Sequence, residues 1–373
     1  IEASGLRGRG GAAFPAAIKW QTVLDAPGAD KYVVCNADEG DSGTFADRLL
    51  MECDPYQLLE GMAIAGFGVG ASRGFIYLRS EYPKAHAVLD AAIAQARDAG
   101  WLGADILGSG FDFDVELRLG AGSYICGEET AMLESIEGKR GIVRAKPPLP
   151  ALSGLFGRPT LVHNVLTLAA VTSILADGGA GYAVHGFGRS RGTMPFQLAG
   201  NVACGGLVEI PFGLPLGDVL QNYAGGTRSA KPVKAVQVGG PLGAYLGAEH
   251  WDLPLDYEAF AGAGAMIGHG GIVVFDDTVD LAEQAEFAMR FCALESCGKC
   301  TPCRIGSTRG EELLQRIRVD GGEPRDYQLL DELLETMELG SLCALGGLTP
   351  MPVRSILKGF PDAFAQRGGV KHG

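Results

Sequence analysis

Apolar residues along this chain change their period twice. Up to about residue 185, short β-branched or aromatic runs alternate with helical periodicity. Residues 31–36 read as a buried parallel strand and 74–79 as a second strand, while 111–119 alternates as a half-exposed one. Residues 16–24, about 55–71 behind the Asp54-Pro55 start, and 83–99 read as helices, the last with Val88, Ala92 and Ile93 inward. Two more helices are expected, one from Glu128-Glu129 to about 136 and one opening at 159–166 and running to about 176. Strands separated by helices predict βαβ units and an α/β domain over 1–185. Residues 186–275 carry short strands at 193–199, 207–210, 233–238 and 272–275 around one helical stretch at 216–223, a small α+β domain. Helical periodicity returns over 276–373, at 281–295, 307–319, 327–339 and 353–358. This predicts a helical bundle in which Phe287, Phe291 and Leu294 form the apolar face of the first helix.

Composition narrows the partners. Thirty-one Lys and Arg against 44 Asp and Glu give a net charge of −13. That balance argues against nucleic acid and anionic membrane surfaces. The 57 glycines among 373 residues are about twice the usual share, so tight loops and close backbone approaches to a ligand are expected. No apolar run is long enough to span a membrane, and the scattered cysteines do not form a disulfide framework, so a cytoplasmic setting is expected. The chain opens at Ile1 and runs almost at once into a motif, so an upstream segment is expected.

Four of the nine cysteines carry a distinctive spacing. Cys297, Cys300 and Cys303 follow one another at two-residue gaps, and Cys343 is a fourth candidate downstream. Zinc usually takes thiolates as separated pairs, whereas such a run with a distant fourth cysteine suits an iron–sulfur cubane. Zinc and redox thiols are the alternatives. Cys292, about one turn before the run, reads as a core residue.

Two loops have the composition of a cofactor site. Gly5, Gly8, Gly10 and Gly11, with Arg7 and Arg9, precede the first helix. Bare N–H groups, a helix N-terminus and guanidinium groups suit a phosphate, although a flexible loop has the same composition. The first strand empties into an acidic glycine loop with Asn36, Asp38 and Glu39, placed at a strand's carboxyl end where open α/β sheets bind ligands. Glu128 and Glu129 follow Tyr124 and Gly127, and one carboxylate would serve as a helix cap. In residues 192–275 no chemical constellation is seen, and His250 and His269 read as structural or surface residues.

The run Gly5-Leu-Arg-Gly-Arg-Gly-Gly-Ala-Ala-Phe-Pro15 with Lys19-Trp20, then Asn36-Ala-Asp-Glu-Gly40, Tyr124-Ile-Cys-Gly-Glu-Glu-Thr130 and the cysteine run resemble the NADH-oxidising flavoprotein subunit of respiratory complex I. The same module occurs in diaphorase subunits of NAD-reducing hydrogenases and of molybdenum-containing formate dehydrogenases. The resemblance covers nearly the whole chain. It implies a Rossmann-like FMN domain, a ubiquitin-like α+β domain and a helical domain carrying one [4Fe–4S] cluster on Cys297, Cys300, Cys303 and Cys343. It further implies FMN contacts from Gly8, Arg9, Gly10, Gly11, Lys19, Asn36, Asp38, Glu39, Tyr124, Gly127, Glu128, Glu129, His163 and Asn164. Phe14, Asp41, Glu129 and Lys146 would face the nicotinamide nucleotide, with Glu39 and Glu129 positioning the reactants.

Departures from the complex I pattern point within the family. Ala13 replaces a common glycine, Asp41-Ser42 stands where Glu-Pro is usual, and His163 replaces an asparagine. Ala13 and Asp41-Ser42 look more like the formate dehydrogenase branch, as do 189–200 and 238–245. The resemblance thus implies hydride exchange between NAD(H) and FMN and single-electron transfer through the cluster. The implied partners are a molybdenum/iron–sulfur subunit and a small [2Fe–2S] thioredoxin-like subunit. A complex I or hydrogenase subunit, and a non-enzymatic zinc-stabilised scaffold, are the competing readings.

Overall fold

The protein is described by a computed structural model over residues 1–28 and 30–364; residues 365–373 of the expected third segment lie outside the described residues. Four parallel strands build the first sheet: β1 (Tyr32–Ala37), β2 (Arg73–Leu78), β3 (Asp114–Leu119) and β4 (Thr160–Asn164), in the order β3-β2-β1-β4. Strand β4 corrects the expectation of a helix opening at 159. Thr160 to His163 are buried and pair with β1 from Tyr32 to Cys35, and the helix begins only at Val165. A five-residue buried strand that runs straight into a helix has no period of its own to distinguish it.

Helix α1 (Ala16–Asp25) precedes β1, α2 (Ala46–Cys53) and α3 (Pro55–Val69) connect β1 to β2, and α4 (Pro83–Asp98) follows β2. Asp54 caps α3 by accepting from the Gln57 amide, and Gly70 ends it in the left-handed region, the ordinary glycine stop. On α4 the inward residues are Leu89, Ala92 and Ile93, so Leu89 takes the place expected of Val88. One face of the sheet buries Val33, Cys35, Ile76 and Leu78 against these helices. The other buries Val34, Phe75, Tyr77 and Val162 against α5 (Glu129–Ile136) and the cysteine segment. Coverage on both faces explains why β1, β2 and β4 read as nearly continuous apolar runs, whereas β3, at the sheet edge, alternates.

After α6 (Val165–Asp177) comes a second, mixed sheet: β5 (Thr193–Gly200), β6 (Gly206–Pro211), β7 (Val233–Val238), β8 (Ala244–Leu246) and β9 (Gly271–Asp276), in the order β8-β7-β9-β5-β6. Strand β8 has no counterpart in the sequence reading. The C-terminal helices are α7 (Leu281–Glu295), α8 (Thr301–Asp320), α9 (Pro324–Gly340), α10 (Ala344–Leu348) and α11 (Pro350–Gly359). Asp280 caps α7 through the amides of Ala282 and Glu283. The buried face of α7 is Leu281, Ala282, Ala285, Ala288, Met289 and Cys292. Phe287 and Leu294, expected inward, are exposed, because small residues let α7 approach its neighbours closely while the large ones point out.

Candidate redox-cofactor site

The carboxyl end of β1, the glycine loop, the Tyr124–Gly127 turn and the turn before β9 enclose a cavity of about 350 Å³. Ten of the expected residues line it: Gly10, Gly11, Asn36, Asp38, Glu39, Asp41, Tyr124, Gly127, Glu128 and Asn164. The backbone is drawn tight where glycines stand. A Cβ on Gly40 would lie 2.6 Å from the Tyr124 ring, and one on Gly10 would lie 2.9 Å from the Asn164 Cβ. The Asn36 amide donates to the Gly127 carbonyl at 2.8 Å, tying the first acidic loop to the second. The Tyr124 hydroxyl donates to Asp41 at 2.8 Å.

The acids of the cavity are not equivalent. Burial pushes the Asp38 carboxyl up to about 8, against the pull of Arg79, so at neutral pH it is mostly a hydrogen-bond donor. Glu39 accepts from the Asp47 and Arg48 amides at 2.8 and 2.9 Å and from the Tyr82 hydroxyl at 3.0 Å. Glu128 caps α5 through the Thr130 and Ala131 amides, as expected of one carboxylate in this pair. Glu129 instead joins the lysines: Lys146 lies 3.0 Å away and Lys19 3.6 Å, while Lys146 also meets Glu128 at 2.9 Å. Burial raises Glu129, but the two ammonium groups outweigh it and hold the carboxyl below its usual range.

Several expected contacts lie elsewhere. Arg9 is buried, and its guanidinium donates to the Arg7, Arg191 and Thr193 carbonyls and to the Tyr182 hydroxyl, so it ties the glycine loop to the second sheet. Arg7 is likewise engaged, by the Ala13 carbonyl and Glu258. Both guanidiniums are therefore engaged by protein partners. His163 accepts the Trp20 indole N–H at 2.9 Å on the helical side of β4, and burial pulls it down to about 3. Gly8, Lys19, Glu129, Lys146 and Phe14 do not line the cavity; Phe14 is 45 % exposed. Ala13, at a backbone φ of 51°, occupies the left-handed region where glycine is unstrained.

The turn before β9 supplies what the sequence reading missed. Met266, Gly268 and His269 line the cavity, joined by Asp47 from α2. His269 Nε2 is 3.2 Å from Asp47 and 3.5 Å from Glu39, so of the two expected roles it is not a surface residue but a buried structural one that also faces the cavity. A glycine-flanked histidine between strand signals, Gly268-His-Gly-Gly271, was the available cue.

The cysteines gather where the helical region meets the sheet. Cys300 caps α8, Cys303 lies in its first turn and Cys343 caps α10. All four pack in one cluster with Cys292, Leu345 and residues of the sheet. A single zinc holds thiolates roughly 3.8 Å apart for Zn–S bonds of about 2.3 Å. Among the described residues no three of these sulfurs lie within 4.8 Å of one another, since Glu39, Asp47 and His269 form the one such group. Cys292 lies 3.7 Å from Cys303 and takes the Ser307 hydroxyl at 3.1 Å, buried as expected. Burial pushes the Cys343 thiol up to about 11, and metal binding would supply the stabilisation its thiolate lacks. Lys299 donates to the Val143 carbonyl at 2.6 Å and Glu295 accepts the Tyr124 amide at 3.0 Å, clamping the loop onto the cavity. Leu345 belongs both to the cysteine cluster and to the cavity wall.

A nucleotide-sized cavity at the carboxyl ends of parallel strands, one residue away from a four-cysteine set, defines a redox protein that joins an organic cofactor to an iron–sulfur group. Comparison with known proteins makes this specific. Residues 1–173 match the Nuo51 FMN-binding domain, and residues 283–367 match the NADH-ubiquinone oxidoreductase-F iron–sulfur binding region. The NADP-reducing hydrogenase protein HndC of Solidesulfovibrio fructosivorans is 46 % identical over 98 % of this chain and 74 % of its own length. An NADH-quinone oxidoreductase subunit of Rhizobium meliloti (strain 1021) is 44 % identical over 98 % of this chain and 86 % of its own length. The NAD⁺-reducing [NiFe]-hydrogenase in the H2-reduced state contains a chain that superposes with a TM-score of 0.89 at 38 % identity; the match covers 98 % of this chain and 61 % of that one. The chain belongs to the complex I 51 kDa flavoprotein family, oxidoreductases of the NADH dehydrogenase flavoprotein type, and its cofactors are FMN, NAD and a [4Fe–4S] cluster. No helix among the described residues is long and apolar enough to cross a membrane.

Proposed function

We propose that this chain is the diaphorase subunit of a larger complex, exchanging hydride between NAD(H) and FMN and passing single electrons through its cluster. The observation that carries this reading is Leu345, which packs among the cysteines and also lines the cavity. When bound, FMN supplies the hydride exchange with nicotinamide and the [4Fe–4S] cluster the one-electron carriage. The chain's own residues bind and orient. Gly10 and Gly11 bring the backbone close against the cavity, Asn36 and Gly127 shape the polar wall, and Asp38 presents a protonated carboxyl. Cys297, Cys300, Cys303 and Cys343 hold the cluster. Exposed Phe14 offers a ring for stacking on the nucleotide. Lys146 and Lys19 are long, half-buried side chains that can leave Glu129 for a phosphate or ribose. Asp41, held by Tyr124, faces the same space.

The chain divides, on this reading, into an FMN and NAD segment (1–185), a ubiquitin-like spacer (186–275) and a cluster-bearing segment (276–373). The finer reading is that NAD⁺ is reduced with electrons from formate, oxidised at molybdenum on another subunit, in the cytoplasm and with a [2Fe–2S] subunit nearby. It rests on Ala13, Asp41-Ser42 and residues 189–200 and 238–245. A hydrogenase or quinone-reductase setting is the alternative, favoured by the identity to HndC and to the Rhizobium meliloti protein.

An absorption spectrum of the purified chain tests the core: flavin bands and an iron–sulfur shoulder are expected, and a colourless zinc protein would overturn it. Cys300→Ala should abolish electron delivery to partner subunits while NADH still reduces an artificial acceptor; survival of both activities with an intact cluster would remove Cys300 from the ligand set. Co-purification of a molybdenum-containing subunit supports formate, and a nickel-containing or quinone-linked partner excludes it.

A further inference from the structure

His269 is the buried titratable group that the reading above leaves unused. Its Nδ1 lies 2.8 Å from the Arg9 carbonyl, an acceptor only, so this nitrogen carries a hydrogen. Its Nε2 faces Asp47 Oδ1 at 3.2 Å and Glu39 Oε1 at 3.5 Å. Both carboxylates behave as acceptors throughout. Each Glu39 oxygen takes a backbone amide and one also takes the Tyr82 hydroxyl, while Asp47 Oδ2 takes the Asn164 amide at 2.7 Å. Glu39 thus has no proton to offer the ring, and although burial disfavours a charged imidazole, the pull of Asp47 and Glu39 holds His269 well above its ordinary range, so the proton between Nε2 and Asp47 Oδ1 stays on the ring. An imidazole protonated on both nitrogens is a cation.

We propose that His269 is held as a buried imidazolium whose fixed positive charge sets the reduction potential of FMN bound in this cavity and fastens the second sheet to the glycine loop. Two buried carboxylates without a cation would cost several kcal/mol, and the imidazolium offsets them. The chain's geometry places this charge at the cavity wall, with His269, Glu39 and Asp47 all among the lining residues. Reduction adds electron density to the flavin, and the imidazolium, by cancelling one of the two carboxylate charges beside it, makes this low-dielectric wall less negative and so favours that form more than a neutral side chain would. His269 is thus a positioning and tuning residue, and no proton needs to leave it during turnover. This proposal rests on the cavity being the FMN site. The imidazolium also accounts for a contact that a metal would otherwise explain: the three ligand atoms lie within 4.8 Å of one another.

Two measurements on the full chain test this. In the first, selectively ¹⁵N-histidine-labelled protein is observed by NMR at pH 7, with and without EDTA; both ring nitrogens of His269 should be protonated, unaffected by the chelator. A ring with one bare nitrogen, or a stoichiometric divalent cation whose removal changes the ring signal, overturns the proposal. In the second, the FMN-loaded chain and its His269→Gln variant are titrated spectroelectrochemically. The variant's flavin midpoint should move to a more negative value while the cluster midpoint stays put. An unchanged flavin midpoint overturns the tuning role. A chain that takes up no flavin at all defeats the proposed function instead, and the NMR result still decides the charge on the ring.

Discussion

Two acidic pairs flank the cavity, and they are neutralised by opposite means. Glu39 and Asp47 have side chains 0 % and 1 % exposed and share one imidazole, itself pinned to the backbone through Arg9. Glu128 and Glu129, 13 % and 25 % exposed, are met by two long lysines, 31 % and 29 % exposed. The first arrangement costs little side-chain entropy and has no slack, so it is framework. The second holds the same kind of charge with flexible ammonium stems that can turn to a ligand without unfolding anything. The buried pair is locked by rigid partners, whereas the more exposed pair is held by flexible ones, the arrangement a nucleotide contact would need.

Breaking the buried pair should have the largest effect. Asp47→Ala leaves His269 with one carboxylate partner and the Asn164 amide without an acceptor. A loss of about 3–5 kcal/mol is expected in denaturant unfolding; a loss under about 1 kcal/mol would mean that the cluster is not part of the framework. The half-exposed pair should respond in binding instead. Glu129→Gln is expected to cost less than about 1 kcal/mol of stability while changing NADH affinity on the order of tenfold, the scale of a charge-assisted hydrogen bond. Equal effects on stability and binding would erase the distinction.

Asp38 sharpens the comparison, because burial holds it in the protonated form. Its folded value lies near 8, above that of the unfolded chain. Its contribution to stability is therefore fully present below the unfolded carboxylate range near 4 and is lost as pH rises to about 8. Asp38→Asn removes that slope, so the flavin-free variant should gain about 3–4 kcal/mol on the wild type between pH 5 and pH 8. Melting curves at the two pH values read the sign directly. The smallest effect is ionic strength: raising salt to about 0.5 M should weaken the lysine pair by a few tenths of a kcal/mol and leave the buried pair unchanged, since screening acts on solvent-accessible charge. Comparing Lys146→Ala with wild type at low and high salt isolates that difference.

Much of the site was legible because its signals are local. The glycine loop leading into α1, the acidic loop at the end of β1, the Glu128 cap and the cysteine run each lie within about ten residues of sequence. What was misread depends on distant partners. Arg9 carries the composition of a phosphate ligand, yet its hydrogen bonds go to Tyr182, Arg191 and Thr193. Phe287 and Leu294 are as apolar as core residues, but the small residues on the opposite face of α7 are what its neighbours accept. His269 stands more than 220 residues from Glu39 and Asp47, and no pattern in either segment refers to the other.

The order of residues was enough to point to the cofactor chemistry, the thiol spacing favouring a cluster over zinc and the motifs' resemblance to the flavoprotein family implying FMN and NAD. Thiol spacing, bare glycine backbone and acids at a strand's end are properties of short segments, and their physics needs no tertiary context. Which charges are fixed and which are free emerged only once the chain was folded. Whether a carboxylate ends up protonated like Asp38, locked to an imidazole like Asp47 or latched by lysines like Glu129 depends on burial and on partners from remote segments. Desolvation and Coulomb attraction act through space, and neighbours along the chain do not reveal either one.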